Sequence, residues 1–280
     1  MKKVMITGAG GMLGTTICNE LKDVEMHAFK SRELDIICVQ QLSKTIARLK
    51  PDYIINCAAY TAVDLAESNP EIAHRINHHA VEKLAELAAQ HNATLIHFST
   101  DYVFDGTAKT PYLPQDSTNP INVYGKSKLL GERAIERSGT NYYIFRLSWL
   151  YAPHGKNFFR WVMENDQDEM KVVDNQIGSP TSALDVAQFI NHVVHHDPKN
   201  YGSYHFTNVG SMSWFAFAKA ILDKTSSSKK LSPTNHFKTA AVRPNYSVMD
   251  TTSTAVTFQY TINSTRTALD HVLRSYNRDV

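Results

Sequence analysis

The chain has 280 residues, of which 42% are hydrophobic and 20% charged, and its net charge is +2 at pH 7. These proportions are typical of a globular protein with a sizeable core, and the small net charge gives no reason to expect nucleic-acid binding. The N-terminal apolar run is too short for a signal peptide or a membrane span. We therefore expect a cytoplasmic enzyme or binding protein with no membrane partner.

Short apolar runs alternate with helical patterns in the first half of the chain. The runs predict strands at "KKVMITG", "EMHAF", "YIINCAA", "TLIHFST" (94–100) and "YYIFRLSWLY" (142–151). Helices are predicted between them, among them 39–49 and a long helix over 70–92. Apolar strands that alternate with helices are typical of a parallel sheet covered on both faces. The fold class predicted is therefore α/β, a doubly wound Rossmann-type sheet.

The alternation of strands and helices loosens after residue 150. Helices are predicted at 182–196, 214–225 and 265–276, and a short strand at 203–208. We expect residues 1–150 to form a dinucleotide-binding domain, to which a segment of about 177–205 returns. Residues 151–176 and 206–280 then form a smaller, mostly C-terminal lobe that binds the substrate.

A glycine-rich turn, "TGAGGMLG", links the first strand to the first helix. Its spacing is GxxGxxG, with Gly8 for the tight turn, Gly11 for close approach of a pyrophosphate and Gly14 for close packing of the helix. The N–H groups and positive dipole end of the helix would then face the phosphates. This turn predicts a dinucleotide site.

The end of the second strand discriminates between the two nicotinamide cofactors. An acidic residue there holds the ribose 2′-hydroxyl of NADH, whereas basic residues suit a 2′-phosphate. The segment "HAFKSRELD" offers Lys30 and Arg32, and Asp35 follows within reach of an adenine. NADPH is favoured, and NADH remains open.

Tyr124 and Lys128 lie four residues apart in "INVYGKSKLLGE" and so share one face of a predicted helix. A cation near a phenol favours the phenolate, and we therefore expect Lys128 to lower the pKa of Tyr124. In an open α/β sheet, ligands bind beyond the carboxyl ends of the strands. Thr100 ends the fourth strand, and its hydroxyl would converge with Tyr124 and Lys128 on a nicotinamide.

Several motifs together resemble the extended short-chain dehydrogenase/reductases, and among them the dTDP-4-dehydrorhamnose reductase family. They are the glycine turn, "NCAAYTAVDLAES", "STDYVFDG", "NVYGKSKLLGE", "RLSWLY", "VVDNQIGSPT" and "VRPNYSVMD", and they cover nearly the whole chain. The resemblance implies that hydride from NADPH reduces the C4 keto group of dTDP-4-dehydro-L-rhamnose, in rhamnose biosynthesis for surface polysaccharide. Tyr124 would donate the proton, while Thr100 and Lys128 assist it.

The resemblance also implies which residues bind the two ligands. For the cofactor they are Gly8, Gly11, Met12, Leu13, Lys30, Arg32, Asp35, Ala58, Ala59, Tyr60, Tyr124 and Lys128. For the nucleotide sugar they are Tyr102, Trp149, Gln176 and Arg243. Asn175 stands where the family has an aspartate, which leaves Gln176 as the better candidate. Tyr102 stands where the related 4,6-dehydratases have a glutamate, and this favours reduction over elimination of water.

No metal site is expected, although the chain has 13 histidines. His78–His79 and His195–His196 are adjacent pairs, which we expect to point to different sides of a helix. Some members of the family dimerise through magnesium held by acidic residues; this chain has no such acidic cluster, and a homodimer stays open.

Two alternatives to this function remain open. The same motifs suit a reductase that attacks the opposite face of C4 and makes dTDP-6-deoxy-L-talose. The regulatory subunit of methionine adenosyltransferase also resembles this family, keeps the fold and serves as a partner protein, although the intact set of Thr100, Tyr124 and Lys128 favours an enzyme.

Overall fold

Six parallel strands form the central sheet of the protein. The structure is a computed structural model that describes residues 1–167, 169–225, 227, 229–236 and 238–279. In their order across the sheet the strands are β10 (Gly202–His205), β5 (Tyr142–Leu147), β4 (Thr94–Thr100), β3 (Tyr53–Asn56), β1 (Lys3–Thr7) and β2 (Glu25–Phe29). Because every neighbouring pair is parallel, all six carboxyl ends lie at one edge.

Helices lie on both faces of this sheet and in a smaller lobe beside it. They are α1 (Met12–Glu20), α2 (Val39–Leu49), α3 (Val63–Ser68), α4 (Pro70–His74), α5 (Ala80–Gln90), α6 (Val123–Arg137), α7 (Phe158–Glu164), α8 (Ala183–His196), α9 (Trp214–Thr225), α10 (Thr252–Phe258) and α11 (Thr265–Asp279). A π-helical turn, Arg75–His79, joins α4 to α5, and a 3₁₀ turn, Asp101–Val103, follows β4.

Three two-stranded sheets complete the described fold. The strands β6 (Leu150–Tyr151) and β9 (Thr181–Ser182) are parallel, as are β7 (Glu169–Val173) and β12 (Lys230–Thr234). The strands β8 (Ile177–Gly178) and β11 (Met212–Ser213) are antiparallel. No helix in the described ranges is long and apolar enough to cross a membrane.

The core has one layer on each face of the sheet. Ile6, Phe145 and Phe189 belong to the layer under α1 and α8, and Leu42 and Leu84 to the layer under α2 and α5. Every residue of β3 and β4 is buried, as expected of central strands with helices on both sides. A third cluster around Phe159, Phe217 and Leu269 forms the core of the smaller lobe.

The predicted α/β doubly wound fold is confirmed, and the structure corrects two of its elements. The fifth strand does not run over 142–151: β5 ends at Leu147, and the chain turns at Trp149, whose φ is +48°, before it enters β6. The helix expected over 70–92 contains the π-helical turn. The division of the chain at residue 150 stays a prediction, while β10, from the later part, forms an edge of the main sheet.

The adjacent histidines of the π-helical turn do not diverge as expected. The ring centroids of His78 and His79 lie 4.3 Å apart. Successive residues of an α-helix differ by about 100° in direction. A π-helical turn holds more residues and therefore spreads neighbours less. The rings can accordingly approach each other on the outer side of the turn.

Candidate active site

The glycine turn between β1 and α1 is packed too closely to admit side chains at two positions. Gly8 has a φ of +67°, and a Cβ atom there would lie 2.5 Å from the backbone nitrogen of Ala58. A Cβ on Gly14 would lie 2.3 Å from the carbonyl oxygen of Gly8. The glycines thus hold the turn against the loop that follows β3.

The start of α1 fits a pyrophosphate. Gly11 caps this helix, and a Cβ atom placed there would meet one atom within 4 Å, the carbonyl oxygen of Gly8 at 3.4 Å. The N–H groups of the first helical turn, at Met12 and Leu13, have no partner within the helix. An anion can therefore reach unpaired N–H groups at the positive end of the helix dipole, and these groups bind anions.

Basic residues lie beside the glycine turn at the end of β2. Lys30 follows the last residue of β2, and its side chain approaches Gly10, where a Cβ atom would be 3.3 Å from Lys30 Cγ. Lys30, Arg32 and Asp35 are exposed, and Asp35 accepts a hydrogen bond from the N–H of Ile37. Lys30 beside a phosphate-binding turn, with the exposed Arg32 two residues further along, suits a 2′-phosphate.

The loop after β3 is tied to the helix that carries Tyr124. Ala58, Ala59 and Tyr60 are half-buried. The side chain of Asn77 accepts from the N–H of Tyr60 at 2.8 Å and donates to its carbonyl oxygen at 3.0 Å. It also donates to Ser127 Oγ at 3.0 Å. Fully buried Asn77 therefore fixes the distance between this loop and α6.

Thr100, the last residue of β4, lies buried beside the equally buried Asp101. Its hydroxyl donates to Asp101 Oδ1 at 3.0 Å and accepts from the N–H of Tyr102 at 3.2 Å. Burial raises the pKa of Asp101 to about 6, although hydrogen bonds from Ser247 and Thr100 oppose the rise. The hydroxyl direction of Thr100 is thus linked to a carboxyl group that titrates near neutrality.

Tyr124 lies in the first turn of α6, where Asn122 caps the helix by accepting from the N–H of Gly125 at 2.7 Å. We expected Lys128 to lower the pKa of Tyr124, and this expectation is wrong for the geometry observed. Burial raises the pKa of Tyr124, and a hydrogen bond with Thr100 opposes the rise only in part. The phenol is accordingly held in its protonated form.

Lys128 is 2% exposed and points into the protein. Its Nζ donates to the carbonyl oxygen of Phe98 at 2.6 Å and lies 3.2 Å from His97 Nε2. Burial lowers the pKa of Lys128 to about 8. Asn56 lies 3.1 Å from the other ring nitrogen of His97 and accepts a hydrogen bond from Thr7 at 2.7 Å. A chain of polar side chains thus runs from β1 through β3 and β4 to the lysine.

Tyr102 and Arg243 meet over the site from different parts of the chain. The ring of Tyr102 packs edge-on against that of Tyr124, with centroids 5.8 Å apart. Arg243 donates to the Tyr102 hydroxyl at 3.3 Å and forms an ion pair with Asp64 at 2.7 Å. Burial raises the pKa of Tyr102 to about 12. Arg243 therefore contacts Tyr102, which in turn packs against Tyr124, the expected proton donor.

Gln176 and Arg243 line one cavity of about 330 Å³, together with Asn175. Asn175 donates to the carbonyl oxygen of Asn235 at 3.3 Å and is exposed, whereas Gln176 is half-buried. The cavity is polar and carries a guanidinium group, which suits an anionic ligand such as a diphosphate.

Trp149 lies at the junction of the main sheet and the smaller lobe. Its indole stacks on that of Trp214 at 3.6 Å between centroids and an angle of 6°. Its other contacts include Gly178, where a Cβ atom would be 2.5 Å from the indole. One face of the Trp149 ring is therefore covered by Trp214 and is closed to a sugar. A left-handed backbone at a bulky residue is strained, and such strain is concentrated at functional sites.

Four residues of this site are not predicted by the sequence patterns: Asp64, His97, Asp101 and Trp214. Asp64 and Asp101 stand inside the motifs that carry the family resemblance, so their charge was a usable signal. His97 is one polar residue within an apolar strand pattern. Trp214 begins a predicted helix, and its sequence neighbours gave no indication that it would meet Trp149.

Comparison with known proteins shows the family to which the chain belongs. The family model described as "RmlD substrate binding domain" matches residues 1–278. A dTDP-4-dehydrorhamnose reductase of Aggregatibacter actinomycetemcomitans is 36% identical, over 99% of both chains. Among solved structures, a dTDP-4-dehydrorhamnose reductase of Bacillus anthracis in complex with NADP is 35% identical and superposes with a TM-score of 0.95 over 98% of this chain and 100% of the other.

A second solved structure, from Clostridium acetobutylicum, is a dTDP-4-dehydrorhamnose reductase that is 38% identical with a TM-score of 0.94, over 98% of this chain and 99% of the other. A family model that spans almost the whole chain and a relative aligned from end to end both confirm the family that the motifs predicted. The chain belongs to the dTDP-4-dehydrorhamnose reductase family.

Proposed function

We propose that the protein reduces the C4 keto group of dTDP-4-dehydro-L-rhamnose to an alcohol, with NADPH as cofactor, and so makes dTDP-L-rhamnose. The observation that carries the proposal is the hydrogen bond of Tyr124 with Thr100 at the carboxyl edge of the sheet, the edge that also carries the glycine turn, with Lys128 one turn further along the same helix. This is the edge at which open α/β sheets bind their ligands.

The residues around the glycine turn fit NADPH. Gly8, Gly11, Met12 and Leu13 would hold its diphosphate, and Lys30 and Arg32 its 2′-phosphate, with Asp35 beside the adenine. Ala58, Ala59 and Tyr60 line the path toward the reacting centre. When bound, NADPH supplies the hydride that reduces the carbonyl carbon.

Tyr124 donates the proton that the carbonyl oxygen needs when it becomes an alcohol. Because burial raises its pKa, Tyr124 keeps this proton until the oxygen gains negative charge. Thr100 hydrogen-bonds the same oxygen and stabilises the developing charge. Lys128 would bind the ribose hydroxyls of the cofactor, as the family resemblance implies, once its Nζ turns from the Phe98 carbonyl oxygen and His97 toward the cofactor.

The nucleotide sugar lies between the sheet edge and the smaller lobe. Arg243 binds the diphosphate and Gln176 the nucleotide, because both line the polar cavity. Tyr102 contacts the sugar beside Tyr124. Trp149 flanks the sugar with the edge or face of its indole that Trp214 leaves uncovered.

Reduction is favoured over elimination of water because residue 102 is a tyrosine. Removal of water from a sugar needs a base at the carbon that loses a proton, and the phenol of Tyr102, with a pKa of about 12, is a poor one. We also expect a cytoplasmic location, which cell fractionation tests. A homodimer stays open, and gel filtration with light scattering decides the oligomeric state.

The direct test is NADPH oxidation with dTDP-4-dehydro-β-L-rhamnose made in situ, followed by NMR of the product. Turnover to dTDP-L-rhamnose is expected. Formation of the talose epimer would mean that hydride reaches the opposite face of C4. Cofactor binding without turnover, with NADPH or NADH, would favour a regulatory protein instead.

A Tyr124→Phe variant isolates the proton donor. We expect it to bind NADPH as the wild type does and to lose turnover, because phenylalanine keeps the ring but has no proton to give. Turnover near the wild-type rate would exclude Tyr124 as the donor.

A further inference from the structure

Two neighbouring imidazoles and a carboxylate converge on the outer side of the π-helical turn. One ligand atom from each of His78, His79 and Glu82 lies within 4.8 Å of the other two. Glu82 is in the first turn of α5, four residues after His78 and three after His79, and so lies on the same side of the helix. Within the part of the chain that the structure describes, no other three such side chains come together in this way.

The π-helical turn is what brings the histidines together. The His78 and His79 rings are tilted by 32° at 4.3 Å between centroids, although residues adjacent in an α-helix point in different directions. His74, one turn earlier, places its ring 6.4 Å from that of His78. Local π-helical turns are rare and occur frequently at functional sites.

We propose that His78, His79 and Glu82 bind a divalent transition-metal ion, with Zn²⁺ as the favoured metal. Imidazole nitrogens and carboxylate oxygens are zinc ligands, and three protein ligands with water in the fourth position make a complete tetrahedral shell. The set has no soft sulfur ligand, which separates it from sites that prefer Cu(I).

The side chains have room to close on a metal. With metal–ligand bonds of about 2.0–2.1 Å, tetrahedral ligand atoms lie about 3.3 Å apart, so the observed separations must shrink by roughly 1.5 Å at most. His79 is exposed, and His78 and Glu82 are half-buried. Side chains at such positions reach this geometry by rotamer changes alone.

The proposed metal site is separate from the active site. Asn77 comes from the same turn but is fully buried and points inward, to Tyr60 and Ser127. The metal ligands are exposed or half-buried and so lie on the outer side of the turn. Substitutions of the histidines therefore leave the contacts of Asn77 in place, and the metal is not needed for reduction.

Calorimetric titration of EDTA-treated full-length protein with ZnCl₂ tests the site. We expect one site in the wild type, and at least tenfold weaker zinc binding in a His78→Gln, His79→Gln double variant. Glu82→Gln should weaken binding at least threefold. Zn²⁺ should also raise the melting temperature of the wild type, because it binds the folded state, and have less effect on both variants.

The second adjacent pair provides a matched control. His195 and His196 are exposed near the end of α8, where each Nδ1 donates to a backbone carbonyl one turn earlier. A His195→Gln, His196→Gln variant should keep zinc affinity within twofold of the wild type. Equal affinity in the His78/His79 variant and the wild type, or no zinc binding by the wild type, would overturn the proposal. Unchanged NADPH affinity in every variant shows that each is folded.

Discussion

The ammonium nitrogen of Lys128 lies 3.2 Å from Nε2 of His97 in the interior of the protein. The side-chain oxygen of Asn56 accepts from Thr7 and from the N–H of Ala58, so its amide NH₂ group faces His97 Nδ1. Burial keeps the pKa of His97 far below its ordinary value, and the ring is neutral. A neutral ring that accepts at Nδ1 carries its proton on Nε2, toward the lysine. This arrangement opposes a charged Lys128.

The titration of Lys128 should therefore be visible in stability. Its pKa of about 8 lies below the ordinary 10.5, so between these values the unfolded chain binds more protons than the folded one. The free energy of unfolding of the wild type should rise with pH across this window, by up to about 3 kcal/mol.

A Lys128→Met variant lacks this dependence and serves as the reference. Urea unfolding of both proteins at pH 7.5, 8.5 and 9.5 gives the comparison. The difference between them should move in favour of the wild type as pH rises. A difference that is constant with pH would show that Lys128 titrates normally.

Asp101 should give the turnover rate a pH dependence near 6. Above its pKa of about 6, the carboxylate accepts the Thr100 proton, and Thr100 cannot donate the same proton to the substrate oxygen. Below it, the protonated carboxyl group can donate to Thr100 and free its hydroxyl. We expect kcat to rise several-fold as pH falls from 7 to 5.5.

In an Asp101→Asn variant, the rise in kcat between pH 7 and pH 5.5 should be missing, because an amide does not titrate. Profiles measured at saturating NADPH and sugar compare the two proteins. If kcat of the variant still changed near pH 6, another group would be responsible for the titration.

Arg243 should act on substrate binding rather than on chemistry. A charge-assisted hydrogen bond contributes about 1.5–3 kcal/mol, so Arg243→Ala should raise KM for the nucleotide sugar roughly 10- to 150-fold with kcat nearly unchanged. Arg160→Ala is a matched control, because Arg160 is paired with Glu164 on α7 in a similar, partly exposed ion pair. KM for the nucleotide sugar is measured by steady-state kinetics at a fixed NADPH concentration. Equal KM values in the two variants would show that Arg243 does not bind the diphosphate.

The stack of Trp149 on Trp214 should position the sugar. Aromatic pairs contribute about 0.5–1.5 kcal/mol beyond their buried area, and Trp214→Leu removes the support from a ring held at a strained backbone. We expect kcat/KM for the sugar to fall at least threefold while the Kd of NADPH stays constant. Trp161→Leu, at a residue that is 42% exposed, controls for the loss of a tryptophan. If both variants behave alike, the stack has no role in catalysis.

Much of the fold followed from local patterns. β4 occupies residues 94–100 and α9 residues 214–225, as predicted, because apolar run length and helical periodicity mark such elements clearly. Short elements of the later part, such as β7, β12 and α7, were not predicted. Each has seven residues or fewer, and so few positions hold too little periodicity to identify.

The amino-acid sequence by itself determined the glycine turn, the spacing of Tyr124 and Lys128 on one helix and the family to which the chain belongs. These depend on residues close together along the chain or on motifs in a set order. Only the tertiary structure decided that Lys128 faces His97, that Trp149 stacks on Trp214 and that Arg243 pairs with Asp64. Each of these contacts joins residues from different elements, and burial there, rather than spacing, sets the pKa values of the reacting groups.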